Sequence, residues 1–148
     1  MRIFNRKAKF NYTLFERLEA GIVLIGSEAK VVRKGNVDLS NSFVKLIDNE
    51  AYLINANIPI DGKKDYNPTR LRKLLLHKSE LVSLKSKIKA KRLTLIPLKM
   101  YTKGNLVKLE IALAKTKRKF EKKESIKKKD IERELQEALK SEARSSKL

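Results

Sequence analysis

The sequence predicts a mainly β protein with flanking helices, built as a small antiparallel barrel and followed by a basic tail. Three observations carry that reading. Short apolar stretches, alternating or β-branched, recur through residues 1–114 and are separated by Gly, Asp and Asn turn signals. Two helix-like spans interrupt them. After Ala114 the composition changes, with cations crowding and large apolar residues becoming scarce.

Residues 12–25 (YTLFERLEAGIVLI) place Tyr12, Leu14 and Leu18 on one strand face, and the β-branched run from Ile22 to Ile25 favours strand in the second half. Gly26 breaks it. Residues 27–35 (SEAKVVRKG) read as a short helix that Ser27 caps and Gly35 ends. Residues 42–47 and 51–57 form a hairpin about Asp48-Asn49-Glu50. Residues 59–68 (PIDGKKDYNP) are a loop by their Pro, Gly and Asp content. Asn67-Pro68 then reads as a helix start, with Leu71, Leu74, Leu75, Leu81, Leu84 and Ile88 at helical spacing. Leu74, Leu75 and Leu76 cannot all face one side, which allows a break near His77-Lys78. Residues 93–101 and 106–114 make the clearest hairpin, with Val107, Leu109, Ile111 and Leu113 alternating cleanly. Pro97 marks an edge or a bulge. About five strands with two inserted helices suit a small closed or half-closed barrel, and the oligonucleotide/oligosaccharide-binding (OB) type is the natural choice for a nucleic-acid binder.

The charge supplies that partner class. Lys+Arg outnumber Asp+Glu by 36 to 17, a formal net charge of +19 on 148 residues. Residues 115–148 hold 13 basic and 7 acidic groups, leaving +13 on the body. A compact body with that self-repulsion is normally neutralised by a polyanion, nucleic acid first. There is no Cys and one His, His77. Disulfides and thiolate metal sites are therefore excluded, and histidine-based metal or triad chemistry has little material. No metal, cofactor or enzymatic activity is expected. The longest apolar run is too short to span a bilayer, and the N-terminus lacks the apolar core of a signal peptide. A cytoplasmic protein without membrane association is the expectation.

Four motifs carry candidate contacts. In NRKAKFNY, Asn5, Arg6 and Lys7 beside two aromatics suit phosphate contact with base or ribose stacking, against the alternative of a solvated arm. In LEAGIVLIGSEAK, Glu19 is placed to accept from a base amino group or ribose hydroxyl, or else to pair with a neighbouring lysine. In NPTRLRKLLLHK, the cations Arg70, Arg72 and Lys73 suit a sugar-phosphate backbone, and His77 a stack or hydrogen bond. A wet cationic face with His77 capping a helix break is the alternative. In the tail, residues 115–129 hold nine basic and two acidic residues, too polar to fold alone. Ile126, Ile131, Leu135, Ala138 and Leu139 then form a narrow apolar stripe, a helix awaiting a surface.

These motifs, in this order, resemble the SsrA-binding protein family, small protein B. The specific pieces are NRKA (5–8), EAG (19–21), SEAK (27–30), PTR-x-RKLLLHK (68–78), LTLIPL (93–98) and the basic segment around Phe120. The resemblance implies an OB-type barrel, residues 1–114, that binds the tRNA-like domain of transfer-messenger RNA (tmRNA). It implies a tail, residues 115–148, that is disordered when free and helical in the empty message channel of the ribosome. Together with elongation factor Tu, such a protein delivers that RNA to stalled ribosomes in trans-translation, without being an enzyme and as a monomer on the RNA. By position, Asn5, Glu19, Leu75 and His77 would contact RNA. Lys115, Lys117, Arg118, Phe120, Glu121, Lys122 and Lys123 would form the decoding-centre segment. Thr116 stands where the family commonly has Gly, Phe120 where it has His or Tyr, and Lys123 where it has Arg, so the planar fork is lost there. A small ribosomal or other rRNA-binding protein shares the basic body and tail. A membrane-surface module leaves the basic body unexplained.

Overall fold

The computed structural model describes residues 2–62 and 64–117. The chain divides between Lys115 and Thr116, and the account below concerns the first unit and the end of its last strand. The elements are β1 (Arg2–Phe4), α1 (Ala8–Asn11), β2 (Tyr12–Ile22), α2 (Gly26–Lys34), β3 (Phe43–Ile47), β4 (Glu50–Ile54), β5 (Arg72–Leu75), α3 (Lys78–Lys91), β6 (Thr94–Lys103) and β7 (Leu106–Thr116).

The strands follow the order β1-β6-β3-β4-β5-β2-β7, and β7 also pairs with β6. Six strands therefore close a ring and β1 lies outside it. Leu53, Leu74, Leu95, Met100, Leu109 and Ile111 fill the interior with almost no exposure. They alternate with outward residues, as a barrel wall requires. Antiparallel pairing runs throughout the paired registers.

β6 is the strand on which closure depends. Along one side it pairs with β7 from Thr94 to Lys103, with a register shift between Pro97 and Lys99, the bulge that Pro97 signals in the sequence. Along its other side, Leu95 meets Val44 of β3, while Lys99, Met100 and Tyr101 meet β1. Asn5 fills the gap between them. Its Nδ2 donates to the Pro97 carbonyl at 2.8 Å and its backbone N–H to the Leu98 carbonyl at 2.8 Å.

The structure corrects the sequence reading first in its count, with seven strands and three helices among the described residues where about five and two were expected, and then in four places. Residues 72–75 are not the start of a helix. They form β5, with Arg72 and Leu74 inward and Lys73 and Leu75 outward. Asn67 starts a local turn, its Oδ1 accepting the Thr69 N–H at 3.1 Å, and α3 begins only at Lys78 behind His77. β2 runs from Tyr12 and ends at Ile22, so Val23 to Ile25 lie beyond the strand. Ser27 lies inside α2, and the N-terminal turn is closed instead by Glu28, whose Oε1 accepts the Ile25 N–H at 3.0 Å. β7 continues to Thr116, so Lys115 stands in a strand and not in the tail. Gly35 ends α2 in the left-handed region at φ 81°, as expected. The β3–β4 loop is the pair Asp48-Asn49, both at positive φ, which matches the twist of a tight hairpin.

Candidate nucleic-acid interface

The outer face of β2 and β5 gathers four of the predicted contacts, Glu19, Lys73, Leu75 and His77. Gly21 pairs with Leu75, and the Val23 N–H donates to the Lys73 carbonyl at 2.9 Å. Residues of odd number thus share the outward side of both strands. Glu19 and Gly21 of β2 and Lys73 and Leu75 of β5 lie there, and Val23, Ile25, Leu71 and His77, exposed, stand just beyond the strand ends. Leu75 is 55% exposed, and Val23, Ile25 and Leu71 are also open to solvent. Gly21 makes room for its neighbour, since a Cβ there would sit 3.2 Å from the Leu75 Cβ. The result is an apolar strip with a carboxylate and an imidazole at one end and an ammonium beside it. That suits ribose and base surfaces better than phosphates alone. Val23, Ile25, Leu71 and Gly21 were missed by the sequence reading, because a half-apolar outer face looks like ordinary strand alternation.

Glu19 is oriented by partners the sequence does not suggest. The Tyr101 hydroxyl donates to it, and Lys103 Nζ lies 4.0 Å away. The Tyr101 bond first, with Lys103 and Lys108 adding to it, holds the Glu19 carboxyl below its ordinary range. Burial and then the Glu19 contact push Tyr101 up to about 12, so it stays a donor. His77 is exposed at the start of α3, where its backbone N–H donates to Glu80 Oε1 at 3.0 Å. Lys73 points outward, 3.9 Å from Glu50. Arg6 and Lys7 are exposed on the N-terminal arm. Asn5, by contrast, is committed to β6 through Nδ2, and its Oδ1 is shielded and without a donor.

Arg70 and Arg72 do not form a free cationic grip. Arg72 is fully buried, and every guanidinium nitrogen is used. Nε and Nη2 meet Glu28 Oε2 at 2.8 and 2.7 Å, Nη1 donates to the Ala56 carbonyl at 2.7 Å, and Nη2 also donates to the Tyr66 hydroxyl at 2.8 Å and the Pro68 carbonyl at 2.9 Å. Its assignment to RNA is corrected: a side chain with no exposed atom and no spare donor cannot reach a phosphate. Arg70 is partly exposed but also pairs with Glu28. Tyr66 donates to Glu28 Oε2 at 2.8 Å. Burial raises the Glu28 pKa, but the bonds from Arg70, the Ile25 N–H, Tyr66 and Arg72 outweigh it and bring the carboxyl down to about 2. Glu28 and Tyr66 were not singled out in the sequence. The available signal was an acidic residue within an otherwise apolar helix face in a chain short of acids.

Lys115 is exposed on β7 and Lys117 follows it. Arg118, Phe120, Glu121, Lys122 and Lys123 lie outside the described residues. Among the described residues no group of three or more His, Asp or Glu could hold a metal ion, and no helix is long and apolar enough to cross a membrane.

Fold and face together define a small basic barrel protein of the nucleic-acid-binding class. The family model described as SmpB protein matches residues 2–141. An SsrA-binding protein of Sulfurihydrogenibium sp. (strain YO3AOP1) is 49% identical over 139 residues, 92% of this chain and 91% of that one. One from Persephonella marina is 50% identical over 134 residues, 88% of each chain. A solved structure described as "tmRNA-SmpB: a journey to the center of the bacterial ribosome" superposes with a TM-score of 0.66 at 42% identity, covering 84% of this chain and 94% of that chain. The chain belongs to the SmpB family.

Proposed function

We infer that this chain binds tmRNA and acts with it on the ribosome in trans-translation. The observation that carries the reading is the family match over residues 2–141, supported by relatives that are SsrA-binding proteins and a structural neighbour from a tmRNA–SmpB study of the ribosome. It is a binding protein, and we assign it no chemistry of its own.

At residue level, the β2–β5 outer face meets the tRNA-like part of the RNA. Leu75 and the apolar strip pack on ribose and base, Glu19 accepts from an amino or hydroxyl group, and His77 stacks or hydrogen-bonds at the strip's end. Arg6, Lys7 and Lys73 neutralise phosphates. Arg70 adds charge from the rim of the Glu28 cluster. The body, residues 1–114 extended to the end of β7, is one unit of function. The remainder, with Lys117, Arg118, Phe120, Glu121, Lys122 and Lys123, enters the empty message channel. Elongation factor Tu shares the delivery complex, the chain is monomeric on the RNA, and the work is cytoplasmic.

Purification of the full chain from cells, with identification of the RNA that accompanies it, tests the reading. tmRNA is expected, bound with an affinity that falls steeply as salt rises. Equal affinity for any duplex RNA of that size would sink it.

A further inference from the structure

A second concave site lies away from the β2–β5 face. Its volume is about 350 Å3, and Asn5, Lys7, Asn11, Tyr12, Ser40–Phe43 and Thr94 line it. That size lies at the lower end of the range for small-molecule sites, roughly 300–1,000 Å3. The far wall is preformed. The Ser42 hydroxyl donates to the Leu39 carbonyl at 2.6 Å, the Ser40 N–H to Asp38 Oδ1 at 2.9 Å, and Asp38 bridges to Asn57 in backbone register.

The lining is unusual for what it leaves unused. The side chains of Asn11, Tyr12, Asn41 and Thr94 make no hydrogen bond to the described residues. Two amides and two hydroxyls thus belong to residues of the lining with donors and acceptors unspent. Asn5 Oδ1 adds a shielded acceptor without a donor. It cannot be exchanged with Nδ2, because two carbonyl oxygens would then face each other at Pro97. Phe43, 36% exposed, adds a ring face, and Lys7 brings a cation. Amides that both donate and accept, an aromatic ring and one ammonium are the groups that hold a single nucleotide: edge, face and phosphate.

We propose that this pocket takes one unpaired nucleobase of the bound RNA, with Asn11, Asn41 and the Thr94 hydroxyl reading its edge and Lys7 meeting its phosphate. The proposal rests on the RNA-binding reading above and deepens it. It gives the chain a second contact, separated from the apolar strip and specific for a base that no stem occupies.

The test uses the full chain with Asn41→Leu, in an exposed turn, and Thr94→Val, which keeps the side chain's shape. Both are first checked for an unchanged melting temperature. Binding to the tRNA-like part of tmRNA should weaken about tenfold in each, the loss of one good base-edge contact. The slope of affinity against salt should stay the same, because no phosphate contact is removed. Chemical probing should show one unpaired base protected by the wild type and exposed by the variants. Unchanged affinity and protection overturns the proposal, as does a weakening accompanied by a shallower salt slope. If the wild type does not bind this RNA at all, the reading above has failed. Titration with the four nucleoside monophosphates then decides the pocket: shifts of the Asn11 and Asn41 side-chain amide resonances support it, and their absence overturns it.

Discussion

Glu28 ties together partners 38, 42 and 44 residues away in sequence: Tyr66, Arg70 and Arg72. Removing one member of a buried ion pair leaves the other charged and unpaired, at a cost of about 3–5 kcal/mol. Glu28→Gln is therefore expected to destabilise the barrel by about 3 kcal/mol at neutral pH. The pH dependence has a definite sign. The folded carboxyl titrates at about 2, below its ordinary 4.5, so its contribution is fully present above pH 4.5 and is lost as pH falls towards 2. Urea unfolding across that window should show the wild type losing stability more steeply than Glu28→Gln; parallel profiles would contradict the assignment. The same residue shows what a sequence conceals. PTR-x-RK displays two arginines as surface cations, and nothing in that stretch reveals that a glutamate on α2 takes them inward. Lys7 and Lys73 remain exposed, since an ammonium is costlier to bury than a guanidinium with five donors satisfied.

The β2–β5 pair shows the same contrast between elements. Both hairpins were legible, because clean alternation and short turn residues are local signals. β5 was not, because its inward positions are Arg72 and Leu74, and the neighbouring leucines mimic a helical stripe. β1, three residues long, offers no period to detect. The outer face was legible only through Glu19, Lys73, Leu75 and His77, while its apolar remainder depended on the register. That register gives a test. Gly21→Ala would put a methyl 3.2 Å from the Leu75 Cβ, and the half-exposed leucine must turn away. Overpacking at a yielding surface site costs about 1 kcal/mol. RNA affinity should therefore fall while the variant stays folded, as filter binding beside thermal melts would show. Undiminished affinity would remove Leu75 from the interface.

At the scale of the molecule, charge and closure divide the labour. The ring is complete by Thr116, so a chain ended after Lys117 should keep its RNA affinity and lose tagging of stalled peptides in a reconstituted translation assay. Loss of RNA binding in that truncation would place part of the RNA site in the tail. The composition changes after Ala114, and β7, the last of the described strands, ends two residues later at Thr116. Closure has another consequence. The inner edge of β6 is shared by Val44, Asn5 and β1, so the amide of Asn5 stands in for a missing stretch of strand. β1, outside the ring, turns a whole edge outward, three residues long and led by Arg2. A neighbouring copy thus finds on β1 too short a template to extend a sheet from one molecule to the next, and strand-by-strand aggregation through that edge is disfavoured.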